Sequence, residues 1–320
     1  MKLHNDREAF RTLLLSVAAA RNMRADILEK DYYVVLMLKE LSKKQDKLPA
    51  YFKGGTALYK ALKTIRRFSE DIDLTVNIDD CATESAKKKR VEAAAKDYDS
   101  LASVDSIDNK TGSRSVTKVY EYGSLFPIAD DPLQRFGRVR IEATSFTKSE
   151  PNDLLEIAPA IYDYTDEGNK KILREEFDVQ PFKIATIKLE RIFIDKIFAA
   201  EYYYAILDER KYTEAAKHLY DIAVLFALPE IQALLKDENA CRYLVGIKRE
   251  EESIRHFSDL SKKPFDEFTI YDKFDTDPEF AKAYNAMQRV YVPNAGDIIP
   301  IDKLSESVKA VGRIIKIWNF

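Results

Sequence analysis

The first 50 residues carry apolar positions at helical spacing. MKLHNDREAFRTLLLSVAAARNM predicts an amphipathic helix that is capped at Asn5, with Glu8 three residues further on. ADILEKDYYVVLMLKELSKK repeats the helical spacing and ends before Pro49. The chain is therefore expected to begin with two helices.

Between residues 51 and 146 the pattern changes to strands and turns. YFKGG predicts a strand that enters a glycine turn, TALYKALKTIRR predicts a helix, and DIDLTV predicts a strand with strict alternation. A polar helix is expected around residues 83 to 98, and strand-like segments follow at SVTKVYEYG and RFGRVRIEATSF. This part of the chain is expected to be mixed α/β.

The second half of the chain is mostly helical in pattern. Residues 150 to 182 are rich in Pro, Asp and Gly, and helical segments follow at TIKLERIFIDKIFAAEYYYAIL, TEAAKHLYDIAVLFAL and DPEFAKAYNAMQRVY. We therefore predict two domains, a mixed α/β core over residues 1–180 and a mainly helical domain over residues 181–320 that completes a cleft.

Composition narrows the class of protein. The 320 residues are 46% hydrophobic and 33% charged, as in a soluble globular protein, and Cys81 and Cys241 show no metal-ligand spacing. No stretch approaches the ~18 consecutive apolar residues of a membrane span, so a cytoplasmic location is expected. The net charge of −3 gives no global attraction to nucleic acid, so such contacts would be local. Two basic clusters stand out, at residues 60–67 and 87–90, and the second is interpreted as a solvated helix face.

The alternation in DIDLTV places two carboxylates on one face of a strand. Asp71, Asp73 and Thr75 point one way, and the two aspartates lie ~6.5 Å apart. A divalent cation removes the repulsion between such carboxylates, and magnesium takes its other ligands from phosphates and water. The glycine turn before the strand offers backbone N–H groups at a helix start, which suit triphosphate oxygens.

A third carboxylate would complete a site for nucleotidyl transfer. Glu142, in VRIEATSF, lies on the polar face of its predicted strand and is the candidate. Each feature also has an ordinary explanation. The two aspartates could lie on an exposed strand edge, the two glycines could form a simple turn, and the basic residues between them could be a helix surface. DIDLT further fits the DxDx[TV] motif of haloacid-dehalogenase-type phosphatases, although the residues before it, from Arg66 to Glu70, are too polar for the buried strand of that motif.

The sequence resembles the AbiEii/AbiGii-type nucleotidyltransferase toxins, a branch of the polymerase-β-like nucleotidyltransferases. The resemblance is most specific in FKGGTALYKALKTIRRFSEDIDL. It extends to EKDYYVVLML, LERIFIDKIFAAEYY and KHLYDIAVLF, over roughly residues 25 to 230. It implies a polymerase-β-like core with a C-terminal helical domain.

The resemblance also implies roles for individual residues. It places Gly55 and Thr56 at the nucleoside triphosphate and Asp71 and Asp73 on Mg²⁺ or Mn²⁺. Gly54 and Ser69, which flank these motifs, are predicted to bind the triphosphate as well, and Glu142 matches the position of a third metal ligand only loosely. Lys196, in the F-x-[DE]-K segment, would bind phosphate, and Asp221, in the H-x-YD segment, would be a catalytic or orienting carboxylate. Taken alone, Asp221 could equally form an i,i+4 ion pair with Lys217. Ile194 and Lys217 depart from the aromatic residue and the arginine that are common in the family.

The implied function is that of a toxin in a bacterial toxin–antitoxin or phage-defence pair. It would transfer nucleotides from a nucleoside triphosphate to RNA, particularly the tRNA 3′ end, and a cognate antitoxin would be its partner. Two alternatives stay open: the same chemistry on a small molecule or protein, and a non-catalytic protein that binds a nucleotide or a partner.

Overall fold

The computed structural model describes residues 1–69, 71–127, 136–205, 209–255, 259–318 and 320. Its contacts divide the chain into two units. The first unit holds Met1–Ser145 and Asn152–Ile187, and the second holds Phe146–Pro151 and Lys188–Phe320. Glu70, in the segment before DIDLTV, lies outside the described residues.

The first unit contains a mixed sheet with eight strands among the described residues. The strands are β1 (Ala50–Lys53), β2 (Asp71–Val76), β3 (Ala102–Ser103), β4 (Lys110–Thr111), β5 (Ser115–Glu121), β6 (Arg138–Thr144), β7 (Asn152–Ile157) and β8 (Phe182–Ile187). Their order is β3-β5-β6-β2-β1-β8-β7, and β4 pairs with β5. Strand β2 runs parallel to β6 and antiparallel to β1, and β1 runs parallel to β8. The candidate strand DIDLTV therefore lies in the interior of the sheet.

Helices accompany the sheet in the same unit. They are α1 (Arg7–Arg21), α2 (Ala25–Lys44), α3 (Gly54–Ala61), α4 (Glu84–Ala95), α5 (Ala160–Tyr164) and α6 (Glu167–Glu175). The first two confirm the helices predicted at the start of the chain. The predicted cap at Asn5 is wrong, because the carboxylate of Asp6 accepts from the backbone N–H of Ala9 at 3.0 Å and Asn5 lies in a preceding 3₁₀ turn.

The two faces of the central strands differ in polarity. Ile72, Leu74 and Ile141 are almost fully buried, on strands that α2 and α4 contact. The opposite face carries Asp71, Asp73, Arg140 and Glu142, and we call these four residues the polar face. The alternation predicted for DIDLTV is confirmed, because β2 is half-buried at its aspartates and buried between them.

Helix α2 packs deep in the first unit and carries charged residues into its interior. Asp31 forms an ion pair with Lys60 of α3 and accepts from the backbone N–H of Ala160 at 2.6 Å. Glu29 accepts from the hydroxyl of Ser124 at 2.6 Å. Buried charges need such partners to offset their lost hydration. The pair between Asp31 and Lys60 fixes α3, and with it the glycine turn at its start.

Two predicted segments end differently from expectation. The helix expected over TALYKALKTIRR ends at Ala61, because Lys63 adopts a left-handed φ of 50° and the chain turns. The segment 150–182, which was expected to be rich in turns, contains β7, α5 and α6. These elements are only five to nine residues long, so each spans few periods of the sequence pattern. The sheet of the first unit then continues through β8 to Ile187.

The second unit is helical, as predicted. Its helices are α7 (Leu189–Ala205), α8 (Glu209–Phe226), α9 (Pro229–Leu234), α10 (Glu238–Arg255), α11 (Pro278–Tyr291) and α12 (Ile301–Trp318). Helices α7 and α8 pack along each other, and an aromatic cluster that includes Phe198, Phe265 and Phe268 fills the interior. Short 3₁₀ turns lie at Asp259–Ser261, Phe265–Glu267, Thr269–Tyr271, Phe274–Thr276 and Ala295–Asp297. A mixed α/β half followed by a helical half is thus confirmed.

Candidate active site

The glycine turn lies directly against the second aspartate of β2. Gly54 follows β1, begins α3 and has a φ of 80°, a conformation that favours glycine. A Cβ atom at this position would lie 2.1 Å from Oδ2 of Asp73. Only glycine therefore allows the carboxylate of Asp73 to approach the backbone of the turn this closely.

The next two residues of the turn contact the segment before β2. A Cβ at Gly55 would lie 2.8 Å from the hydroxyl of Ser69 and 3.0 Å from Nη2 of Arg67. The hydroxyl of Thr56 donates to the carbonyl of Asp71 at 2.6 Å and lies 3.0 Å from that of Ser69. The residues expected at the triphosphate are thus brought together around the start of α3. In this structure Thr56 is engaged through its side chain, so its backbone N–H is the group left for a phosphate.

Three carboxylates occupy the polar face on neighbouring parallel strands. In the register of β2 and β6, Asp71 pairs with Arg140 and Asp73 pairs with Glu142. Side chains of paired residues lie on the same face of a sheet. Lys53, the last residue of β1, is the register partner of Asp73 on its other side. The structure thus brings the predicted residues Asp71, Asp73 and Glu142 to one surface.

Arg140 lies among these carboxylates. Its Nη2 donates to Oδ2 of Asp71, and its Nε lies 3.1 Å from Oε1 of Glu142, a charge contact without hydrogen-bond alignment. Burial works against its charge, but Asp71, Glu142 and Asp73 together raise the pKa of Arg140. The guanidinium is therefore the positive charge that these carboxylates share.

The surroundings of Glu142 disfavour its charged form. Burial, and after it the neighbouring carboxylate of Asp73, raises the pKa of Glu142 to about 7, although Arg140 acts in the opposite direction. A carboxyl group with a raised pKa beside two others marks a place where a further cation would be favourable.

The donor set suits a hard divalent cation. Mg²⁺ and Mn²⁺ prefer carboxylate oxygen ligands, and the polar face offers three such groups on rigid strands. Among the described residues, however, no three or more His, Cys, Asp or Glu side chains are gathered closely enough to hold a metal ion. Asp71, Asp73 and Glu142 have the oxygen chemistry that a divalent metal prefers, but they are not gathered around one point, and Arg140 contacts two of the three.

The remaining predicted residues, Lys196 and Asp221, form an ion pair inside the second unit. Nζ of Lys196 on α7 lies 2.8 Å from Oδ2 of Asp221 on α8, and the two side chains are 8% and 0% exposed. A buried carboxylate at this distance holds the ammonium in one place. Lys196 and Asp221 are thus paired with each other in the interior of the second unit.

The two positions that depart from the family pattern have ordinary surroundings. Ile194 is fully buried in the core of the second unit. Lys217 forms an ion pair with Glu214 at 2.6 Å and lies 4.9 Å from the ring centre of Tyr291.

The two basic clusters also differ. In the first, Lys60 is buried against Asp31 and Arg67 is buried with its guanidinium donating to the carbonyl of Phe68. In the second, the ion pairs join Lys87 to Glu84, Lys88 to Glu92 and Arg90 to Asp80. The second cluster is thus a solvated helix face, as expected, whereas the first supports the glycine turn.

Arg140 was not among the site residues predicted from the sequence. The alternation in RVRIEATSF does predict that its side chain shares the strand face of Glu142, as it does in the structure. Its contact with Asp71 depends on the register of two strands far apart in sequence, and no local pattern reveals that register.

A mixed sheet with a glycine turn against an aspartate pair, and a third carboxylate on the parallel neighbour, is the arrangement of a nucleotidyltransferase. The family model for the nucleotidyl transferase AbiEii toxin of Type IV toxin–antitoxin systems matches residues 36–311. The chain belongs to this family, and it is a nucleotidyltransferase enzyme. No curated protein gives a significant match. In the parts of the chain that the structure describes, no helix is long and apolar enough to cross a membrane.

Proposed function

We propose that the protein is a metal-dependent toxin that transfers a nucleotide from a nucleoside triphosphate to RNA. The observation that supports the proposal is the close approach of the Asp73 carboxylate to the glycine turn, where a Cβ atom at position 54 would lie 2.1 Å from Oδ2 of Asp73. Family membership implies a nucleoside triphosphate as substrate and an antitoxin as partner.

In this proposal the polar face binds the metal ions and the glycine turn binds the triphosphate. Mg²⁺ or Mn²⁺ bound by Asp71 and Asp73, with Glu142 as third ligand, would stabilise the charge on the attacking and leaving oxygens. The backbone N–H groups of Gly55 and Thr56, at the start of α3, orient the triphosphate, because the first N–H groups of a helix lack intrahelical partners. Rigid strands and a rigid turn hold these groups in place before substrate binds.

Lys196 and Asp221 are proposed to act as a unit in the second domain. The carboxylate of Asp221 orients the ammonium of Lys196, and the ammonium binds a phosphate oxygen of the substrate.

The acceptor is proposed to be RNA, in particular the tRNA 3′ end. The support is the resemblance to the toxin family together with local basic residues, since the net charge of −3 gives no global attraction. Modification of tRNA would arrest growth and could serve phage defence. The cognate antitoxin would be encoded beside the toxin.

Induced expression in a bacterial host tests the toxin function. The wild-type chain is expected to arrest growth, co-expression of the neighbouring upstream gene should relieve the arrest, and Asp73→Asn should be harmless at equal protein level. Growth arrest by Asp73→Asn would contradict the catalytic basis of toxicity. Drug resistance without growth arrest would instead indicate a small-molecule acceptor.

A further inference from the structure

The guanidinium of Arg140 contacts oxygen atoms that metal binding also requires. It donates to Oδ2 of Asp71 and lies 3.1 Å from Oε1 of Glu142, so it joins carboxylates on two different strands. Its side chain is 39% exposed, which leaves it room to move away from them. A metal ion bound to these oxygens would therefore lie close to the guanidinium, and the two positive charges would repel each other.

We propose that Arg140 is the internal cation of this site: it holds Asp71 and Glu142 in the metal-free protein, and the two carboxylates exchange it for a divalent cation. The inference rests on the proposed function of the polar face. It adds a residue that neither the sequence pattern nor the family assignment provides.

The released guanidinium then has a second use. It stays anchored to β6 beside the carboxylates, where the triphosphate oxygens would arrive. A guanidinium binds phosphate oxygens in a two-pronged manner, which the point charge of a lysine cannot reproduce. Arg140 thus contributes to nucleotide binding after it has left Asp71.

Two other roles would produce the same contacts in a static structure. Arg140 could orient Asp71 while the metal is bound, in which case its loss would weaken metal binding about 10- to 100-fold. It could also serve only the stability of the sheet, in which case metal affinity would not change. Competition is the role that predicts tighter metal binding when the guanidinium is removed.

Titration of the purified full chain with Mn²⁺, followed by electron paramagnetic resonance without nucleotide, separates these roles. Arg140→Met removes the charge and keeps most of the side-chain length, and it should bind Mn²⁺ about tenfold more tightly than wild type. Arg140→Lys keeps a positive charge without the two-pronged geometry, so its affinity for Mn²⁺ should increase less than that of Arg140→Met. The matched control is Arg138→Met, because Arg138 lies two residues earlier on the same strand face and pairs with Glu121. It should leave Mn²⁺ affinity unchanged.

Two further readouts complete the test. At saturating Mn²⁺, Arg140→Met should raise the KM for the nucleotide about tenfold, since a charge-assisted phosphate contact is lost. In EDTA the same variant should unfold at a lower temperature than wild type, and Mn²⁺ should reduce that difference. If Arg140→Met does not fold, the increase in Mn²⁺ affinity in Arg140→Lys carries the test.

The outcomes separate this inference from the proposed function. If Asp73→Asn abolishes Mn²⁺ binding but neither Arg140 variant tightens it, the inference is overturned and the metal site stands. If either Arg140 variant weakens Mn²⁺ binding, Arg140 orients the carboxylates and the inference is likewise overturned. If the wild-type protein binds no Mn²⁺, both the inference and the metal-dependent function fail.

Discussion

At the scale of single residues, the site depends on the absence of a side chain at position 54. The left-handed φ favours glycine there, and a Cβ atom at this position would lie only 2.1 Å from Oδ2 of Asp73. The two facts are coupled, because the turn that needs the unusual φ is also the turn that receives the carboxylate.

Gly54→Ala should therefore lower the rate of nucleotide transfer strongly and the free energy of unfolding only moderately. The methyl group would displace Asp73, and a displacement of about 1 Å at a reacting centre can lower the rate roughly 100-fold. Left-handed strain should lower the free energy of unfolding by about 1–2 kcal/mol. Nucleotide transfer rates and urea unfolding curves measure the two effects. A fully active Gly54→Ala would show that Asp73 does not need its observed position.

Gly246→Ala is the matched control. Gly246 lies within α10, and a Cβ there meets no atom within 4 Å. Alanine in a helix interior should raise the free energy of unfolding by about 0.5–1 kcal/mol and leave transfer unchanged.

Ser69 is the second residue at which a local change should act on the site. Its hydroxyl lies 3.0 Å from that of Thr56 and beside Gly55, so a carboxylate there would place negative charge where triphosphate oxygens are expected. Ser69→Glu should lose transfer activity, whereas Ser69→Gln, similar in size and uncharged, should keep more of it. Equal losses in steady-state transfer assays would mean that bulk, not charge, matters at this position.

At the scale of elements, α2, α3 and α5, together with residues 63–69, line a small cavity. Its volume of about 30 Å³ lies among side chains that include Asp31, Lys60 and Asp163. Burial, and the carboxylate of Asp31 after it, raise the pKa of Asp163 to about 6 against the opposing charge of Lys60. The ionised form of Asp163 is thus a cost to this part of the fold near neutral pH.

The sign of the pH dependence follows from that shift. Below about pH 4 the Asp163 carboxyl is protonated in both folded and unfolded chains, and between about pH 4 and 6 only the folded chain retains the proton, so its contribution to stability falls as pH rises. Asp163→Asn should raise the free energy of unfolding by about 1 kcal/mol at pH 7.5, after allowance for partial solvent exposure. The gain should disappear near pH 4 in urea unfolding series. A gain that is constant with pH would exclude ionisation as its cause.

The buried pair between α7 and α8 allows structure and function to be separated. Lys196→Met should lower the free energy of unfolding by about 3 kcal/mol, because it leaves Asp221 buried without its ammonium. The double variant Lys196→Met/Asp221→Asn should recover much of that stability but none of the transfer activity. If the double variant recovers both stability and transfer activity, the ion pair has a structural role only.

The sequence predicted the helices and strands that have a clear periodic pattern of apolar and polar residues within their own segment. β2 was visible because Asp71 and Asp73 alternate with apolar residues, and α2 was visible from its helical spacing. The end of α3 was missed because residues 62–67 keep a helical composition while Lys63 takes a left-handed φ. The pairing of Asp73 with Glu142 was only a hypothesis from the sequence, since strand register is set by tertiary packing.

At the scale of the whole molecule, the family match over residues 36–311 includes most of both units. The helical unit is therefore as much a part of the enzyme family as the sheet. The chain as a whole is slightly acidic, so binding of an RNA acceptor would depend on local groups and should weaken as salt concentration increases.

The most direct test of metal-dependent transfer is incubation of the purified protein with total bacterial RNA, Mg²⁺ and each α-³²P-labelled nucleoside triphosphate in turn. We expect label in a discrete RNA band with at least one nucleotide, and no label in EDTA or with a folded Asp71→Asn/Asp73→Asn variant. Label that persists in that variant would contradict the assignment of the aspartates. No label from the folded wild-type protein with any nucleotide would contradict RNA as the acceptor.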